Sequence, residues 1–477
     1  MSNNEIINND KENNLVIKED IEEQDKIEQM EKDEIDEKIE FKYKLIYVFK
    51  AIGAIISSII HTFGYFSVLS LGYTTIYLIS FRRHYNPNVN LSYNYNFIPL
   101  LNISFSLSAP IGSYFENRFG GKKTIILSNA ILCFSFIIMY FSRSIYLDYI
   151  LMILNGFGMA AGYNITKKNA ISFFPNRKSL ILGIINLFPN FFSLILIMYN
   201  EVFVVNYKQE LPSTVQIYYS ESVFMNYQTL IIYELGILFF TGLLACILYF
   251  KNDPKERAKL GFNEKKNENE NENKDEKNEI IKNKKIHKKI KIKEALNNKR
   301  ISKLMLMVLL FCPTINLITN ILRMDQYYYF MFGGLYNIAG CIFSLIFGIL
   351  GDCIRFKILF AILAVLSTLT SLVYISYFEG EFILFFETVL VSLIYNGFII
   401  IFDTHIMNVF GAENYIDIWA YIRAPEGITH LFGIILNCIL DINSPGYKIV
   451  YGISSLGSLI SLLIGICESE DKFNYEN

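Results

Sequence analysis

The sequence predicts an all-α membrane protein of twelve transmembrane helices, arranged as two six-helix bundles that repeat one another. Three observations lead there. Of the 477 residues, 52% are hydrophobic and only 18% charged, which is a membrane composition. Apolar runs of about twenty residues, long enough to cross ~30 Å of hydrocarbon as a helix, come six times before a polar segment and six times after it. Finally, one joint motif occurs at corresponding places in the two sets.

Residues 1–44 open with forty positions dominated by Asn, Glu, Asp and Lys. They hold too little apolar surface to offset chain entropy, so a disordered tail is expected. No basic region followed by a short apolar core opens the chain, and the first span is expected to direct it to the membrane. The N-terminal bundle, 45–250, has spans near 53–79, 95–115, 124–142, 147–172, 179–200 and 227–250. A polar and then strongly basic linker occupies 251–300. The C-terminal bundle, 301–467, has spans near 301–324, 328–351, 357–377, 382–408, 414–440 and 447–467, and a short tail, 468–477, follows.

The net charge of -2 conceals a tail and a linker whose charges nearly cancel, so charge is read segment by segment. Arg118, Lys122, Lys123, Lys167, Lys168, Arg177, Lys178, Arg355, Lys357 and the linker fall on one side. Arg82, Arg83, Arg143 and Lys448 are scattered on the other. An excess of Lys and Arg marks the cytoplasmic side, which places both termini and the linker in the cytoplasm, in a plasma or organelle membrane. Asn90-Leu91-Ser92, a glycosylation triplet, then lies outside. The basic end of the linker is expected either to lie on anionic lipid or to be solvated.

Catalytic signatures are missing: there is no phosphate loop, no GxSxG, no HExxH and no cysteine pair. An enzyme is therefore not expected, nor a cofactor, a metal or a nucleic-acid partner. The seven scattered cysteines read as packing residues. The expected partners are a small-molecule solute and membrane lipid, with the chain as a monomer.

The joint is "PIGSYFENRFGGKKTIIL" (110–127), which returns as "FGILGDCIRFKILF" (347–360). A small residue, Ser113 or Gly348, lets two helices approach closely. The Asp352 carboxylate and the cations that follow can bind helix ends and neighbouring charges, forming a latch. "NGF" at Asn155 returns at Asn396, and the two offsets, 235 and 241 residues, agree. Repeated halves of this kind are what transporters use to alternate access to a midplane site.

These residues resemble the major facilitator superfamily, whose loop between helices 2 and 3 reads small-x-x-x-Asp-Arg-x-Gly-Arg-Lys. Ser113, Arg118, Gly120 and Lys122 match, with Asn117 in the Asp place and Glu116 beside it as a replacement carboxylate. In the second half Gly348, Asp352 and Lys357 match. Together with "FFPNRKSLILGI" (173–184) and "VFGAENYIDIWAYIRAPEG" (409–427), they are similar to the oxalate/formate antiporter and monocarboxylate transporter branch. The resemblance implies the major facilitator fold and a carrier of small organic anions, moved with a proton or by exchange. That branch commonly offers a cation to the substrate carboxylate from helix 8 or helix 11. The apolar core of helix 8 here, 327–350, has no charge, which leaves helix 11.

In "YIRAPEGITHLFG", Arg423, Glu426 and His430 stand at i, i+3 and i+7, one stripe of a regular helix. Charges at membrane depth are costly and face a cavity or a partner. Two readings stand: Arg423 and Glu426 neutralise each other, or Arg423 holds a carboxylate while Glu426 or His430 carries a coupling proton. Asn155 and Asn396 complete the candidate substrate set. His61 reads as a packing residue. Glu234 and Glu387 lie nearer the outer ends, and Tyr73, Tyr77, Tyr163 and Tyr336 suit either a cavity or an interface belt. Two alternatives remain: a carrier of neutral solutes such as sugars or amino acids, or a sensor that binds without flux.

Overall fold

The structure is a computed structural model. It describes residues 41–65, 68, 75, 78–79, 81–89, 94–204, 221–252, 298–322, 326–376, 381–412, 414–439 and 445–468. The tail, most of the linker, Asn90-Leu91-Ser92, Tyr73 and Tyr77 lie outside the described residues. The chain divides into two units. In Met1–Ile52 with Lys251–Asn273, the described residues are mainly the first turns of α1. Gly53–Phe250 with Lys274–Asn477 forms the other and holds the remaining helices.

The described residues contain no strand and twelve long helices. These are α1 (Phe41–Tyr65), α2 (Asn94–Phe119), α3 (Gly121–Phe141), α4 (Ile145–Ser172), α5 (Lys178–Val204) and α6 (Glu221–Ile247). The second set is α7 (Lys299–Leu322), α8 (Gln326–Cys353), α9 (Phe356–Ser376), α10 (Glu381–Phe410), α11 (Tyr415–Ile439) and α12 (Pro445–Ile466). Among the described residues, nine helices are long and apolar enough to cross a membrane, and α2, α7 and α11 are the ones outside that group. The first span differs from expectation, because its helix starts at Phe41 and not near residue 53. Lys42, Lys44 and Lys50 lower the hydropathy of its first turns without breaking the helix.

The duplication is visible in the packing. Within the halves, α2 packs on α4 as α8 packs on α10, and α3 on α6 as α9 on α12. Between the halves, α2 lies along α11 and α8 along α5, so each seam is the other's counterpart. Leu107, Phe134, Ile150, Phe240, Ile349, Leu369 and Leu463 are among the many large apolar side chains facing outward, as a lipid-facing surface requires.

Two glycines make the sharp joints. Gly120 (φ 82°) separates α2 from α3, and Gly411 (φ 81°) follows α10. A left-handed residue after a helix lets its N–H cap the last turn; Gly120 N donates to Glu116 O at 2.9 Å and Gly411 N to Met407 O at 3.1 Å. Arg82 is not a surface cation but fully buried. Its Nε and Nη2 donate to Asp148 at 2.5 and 2.8 Å, and its guanidinium also bonds the Met139 and Ser142 carbonyls. A buried arginine is stable only when paired this completely.

Candidate functional site

The joint motif builds two different contacts at one end of the bundle. In the second half, Asp352 at the end of α8 accepts from the backbone N–H groups of Ser179 and Leu180 at 2.9 and 3.1 Å. These are orphan donors at the start of α5, where a helix favours a negative charge. Close approach makes the contact possible. A Cβ on Gly183 would lie 2.5 Å from the Ser344 carbonyl oxygen and 2.8 Å from Gly348 Cα.

In the first half the carboxylate comes from the opposite helix. Asp417, in the first turn of α11, accepts from Ser113 Oγ and from Asn117 Nδ2, the latter at 2.9 Å. The replacement expected of Glu116 is not made, since Glu116 pairs with Lys168 at 3.0 Å inside its own half. Arg118 Nη1 donates to Tyr114 Oη at 2.7 Å. Lys178 Nζ adds a link between halves, to Asn408 Oδ1 at 2.9 Å. This end of the bundle is therefore held closed along both seams. Lys122 and Lys357 are placed at the first turns of α3 and α9.

Deeper in the bundle, α11 brings Arg423 and Glu426 together at 2.7 Å, both buried. The pair forms although Pro425 lies between them and cannot donate to the helix ladder. Arg423 Nε has no hydrogen-bond partner. Its guanidinium stands 5.6 Å from the Phe398 ring and 5.8 Å from that of Trp419. His430 is buried further along the same helix.

Two charges that sequence reasoning passed over complete the cluster. Lys167, counted above among the boundary cations, is buried within α4; its Nζ donates to Asn186 Oδ1 at 2.9 Å and lies 3.9 Å from the Tyr163 ring centre. Asp403, on α10, accepts from Trp419 Nε1 at 2.9 Å through Oδ1, and its Oδ2 has no partner. The Asp403 charge interacts with both Lys167 and Arg423. The signal for Asp403 was present, because it is a carboxylate inside the apolar run "FIIIFDTHIM". Trp419, Tyr163 and Phe105 surround this cluster with ring centres 5.4 to 6.3 Å apart.

The remaining candidates divide. Asn396 is occupied in packing: its Oδ1 accepts from Asn190 at 3.0 Å and Ser344 at 3.3 Å, and its Nδ2 donates to the Ser392 carbonyl at 2.9 Å. Asn155 is fully buried with neither amide atom hydrogen-bonded. Tyr336 gives its carbonyl to Ser392 at 2.7 Å. His61 packs 4.4 Å from the Tyr65 ring, with Nδ1 3.3 Å from Thr166 Oγ1. Glu234 and Glu387 are buried, and neither Glu387 oxygen has a partner. Among the described residues, no group of three His, Cys, Asp or Glu is placed to hold a metal.

A family model described as Major Facilitator Superfamily matches residues 62–415. Comparison with curated protein sequences finds none that matches. Among solved structures, the transporter FucP in the outward conformation superposes with a TM-score of 0.61 at 11% identity, over 87% of this chain and 98% of that one. FucP is described as the E. coli fucose:proton symporter. The human organic anion transporter MFSD10 gives a TM-score of 0.60 at 10% identity, over 88% and 99% of the two chains. At such identities the likeness is one of fold.

Proposed function

The chain belongs to the Major Facilitator Superfamily and is a secondary transporter, and from that premise we propose that it carries a small solute bearing a carboxylate, a monocarboxylate or similar organic anion. The solute binds at the buried cluster of Lys167, Asp403, Arg423 and Glu426 and moves by alternating access, with a proton or by exchange. The observation that carries this reading is Arg423. It is a guanidinium deep inside α11, held in place by Glu426 and by two aromatic faces, with Nε left without a partner. A planar guanidinium with an unused donor suits a carboxylate oxygen.

The closed joint end is the end read as cytoplasmic from its cations, so the conformation described is an outward-facing one in this reading. Asp352 and Asp417 are the groups that must let go for the cytoplasmic side to open. FucP, in the outward conformation, shares the fold.

A second reading has one observation in its favour: Glu426 neutralises Arg423 directly. A site so balanced suits a solute without net charge. Uptake into liposomes by the purified protein, with monocarboxylates, dicarboxylates, sugars and amino acids offered, separates the two. Uptake of sugars alone removes the carboxylate reading, and binding without any uptake leaves a sensor.

A further inference from the structure

Lys167 and Asp403 are opposite charges on opposite halves, one on α4 and one on α10, and both are buried. Their charges interact, yet among the described residues neither enters an ion pair within 4.0 Å. The contrast with Arg423 and Glu426, in contact at 2.7 Å on one helix, is informative. Buried charges are costly unless paired. Lys167 has instead one amide oxygen and one ring face, and Asp403 has the Trp419 indole N–H with the Tyr415 hydroxyl close by. Unused polar atoms accompany them: Asp403 Oδ2, and Asn186 Nδ2 beside the Lys167 ammonium. Buried polar groups left open in this way call for a ligand or water to complete them.

From this geometry we propose that the solute is a zwitterion of the amino-acid class, its carboxylate shared by Arg423 Nε, Lys167 and Asn186 Nδ2 and its ammonium on Asp403. The proposal rests on the reading above only in that a carboxylate-bearing solute occupies this cluster and is held by Arg423; it departs from the organic-anion class by giving that solute an ammonium and no net charge. Charge balance supports it. Lys167 and Arg423 supply two positive charges, and Asp403 and Glu426 two negative ones. A zwitterion enters without changing that sum. A monocarboxylate leaves one uncompensated negative charge among buried groups, unless a proton comes with it, and a simple amine leaves one positive charge. Tyr163, Phe105 and Trp419 offer an apolar wall to the solute's side chain.

Trp419 is the chain's single tryptophan and donates to Asp403, so its fluorescence reports on this site. The experiment titrates the purified full chain in liposomes with each standard amino acid. It then takes the one that binds best and compares it with its N-acetyl derivative, which lacks the ammonium, and its methyl ester, which lacks the carboxylate. Radiolabelled uptake is measured in parallel. The parent should bind at least about tenfold more tightly than either derivative, the scale of one charge-assisted hydrogen bond. Asp403→Asn should shrink the parent's advantage over the N-acetyl form, and Lys167→Gln its advantage over the ester. Each is a ratio within one variant, so poor folding cannot imitate it, and Lys167→Arg and Asp403→Glu should keep both ratios. If lactate or the N-acetyl form binds and is carried as well as the parent, the zwitterion proposal is overturned and the carboxylate reading stands. If sugars alone are carried, both fail.

Discussion

Asn117 on α2 donates to Asp417 on α11 at 2.9 Å, and this contact joins the two halves of the molecule. In the other seam the carboxylate belongs to the joint itself, as Asp352, and its partners are backbone N–H groups of α5. The first joint carries Asn117 where the second carries Asp352, and the facing helix supplies the carboxylate.

Exchanging the two residues tests the contact. Asn117→Asp alone sets two carboxylates against each other, and Asp417→Asn alone removes the charge-assisted bonds from Ser113 and Asn117. Each should slow uptake at unchanged surface abundance. The double exchange, Asn117→Asp with Asp417→Asn, should recover most of the rate, with a coupling energy on the order of 0.5–3 kcal/mol for a direct contact. Losses that simply add would mean that the two side chains do not act together.

The other seam is set by size. Gly183→Ala places a methyl group 2.5 Å from the Ser344 carbonyl oxygen and 2.8 Å from Gly348 Cα, both backbone atoms. Relief requires α5 and α8 to separate, at a cost of about 1–3 kcal/mol. The melting temperature in detergent should fall. Cys341, whose Sγ lies 3.6 Å from the Leu187 carbonyl in this seam, should react faster with a maleimide, as read by mass spectrometry. An unchanged melting temperature and an unchanged Cys341 rate would contradict the packing.

Beyond the last helix, Glu468 ties the end of α12 to the start of α7, with Arg300 Nε 2.5 Å from its Oε1 and His405 Nε2 at 3.9 Å. Burial pushes the Glu468 carboxyl up, but the hydrogen bond from Arg300 and the charges of His405 and Arg300 outweigh it and hold the group below its usual range. A lowered carboxyl pKa contributes stability that is present above the ordinary glutamate value, about 4.3, and lost as pH falls through the lowered one. Glu468→Gln should therefore melt earlier at neutral pH, by on the order of 1–3 kcal/mol, and the gap to wild type should close on acidification below about pH 4. A gap that persists at low pH would assign the effect to packing and not to the ion pair.

How far the sequence foretold this depended on whether a signal was local. Span lengths and the repeated joint needed only the chain itself, and the paired seams follow from them. Arg423 and Glu426 declared themselves as charges inside an apolar run, and so did Asp403, which the same criterion would have found. Lys167 was hidden by position. In "ITKKNAIS" it stands next to Lys168 near a helix end, where cations ordinarily mark a membrane boundary, and the two side chains part only because they point to different sides of α4. Asp417 was not legible as a latch because its partners, Ser113 and Asn117, lie about 300 residues away. Asn155 and Asn396, alike in sequence, differ in surroundings: Asn396 is saturated by its neighbours and Asn155 is not. Among the described residues, α2 and α11 lie outside the nine helices long and apolar enough to cross a membrane, and together they hold Ser113, Asn117, Asp417, Arg423 and Glu426. In α11 the charges that weaken the membrane signal are those on which the proposed mechanism turns.

The most direct measurement is uptake of carboxylate-bearing solutes into liposomes by the wild type, Arg423→Ala, Glu426→Gln and the double variant, with reconstituted protein quantified in each. Each single change leaves one buried charge without its partner, at a cost of roughly 3–5 kcal/mol, so both should lower the yield of folded protein, and the double change should restore it. Flux separates the roles. If Arg423 binds the solute carboxylate, Arg423→Ala and the double variant stay nearly inactive per folded molecule, while Arg423→Lys keeps part of the rate. Full uptake per folded molecule by the double variant would show that Arg423 and Glu426 only neutralise each other, and would contradict the account.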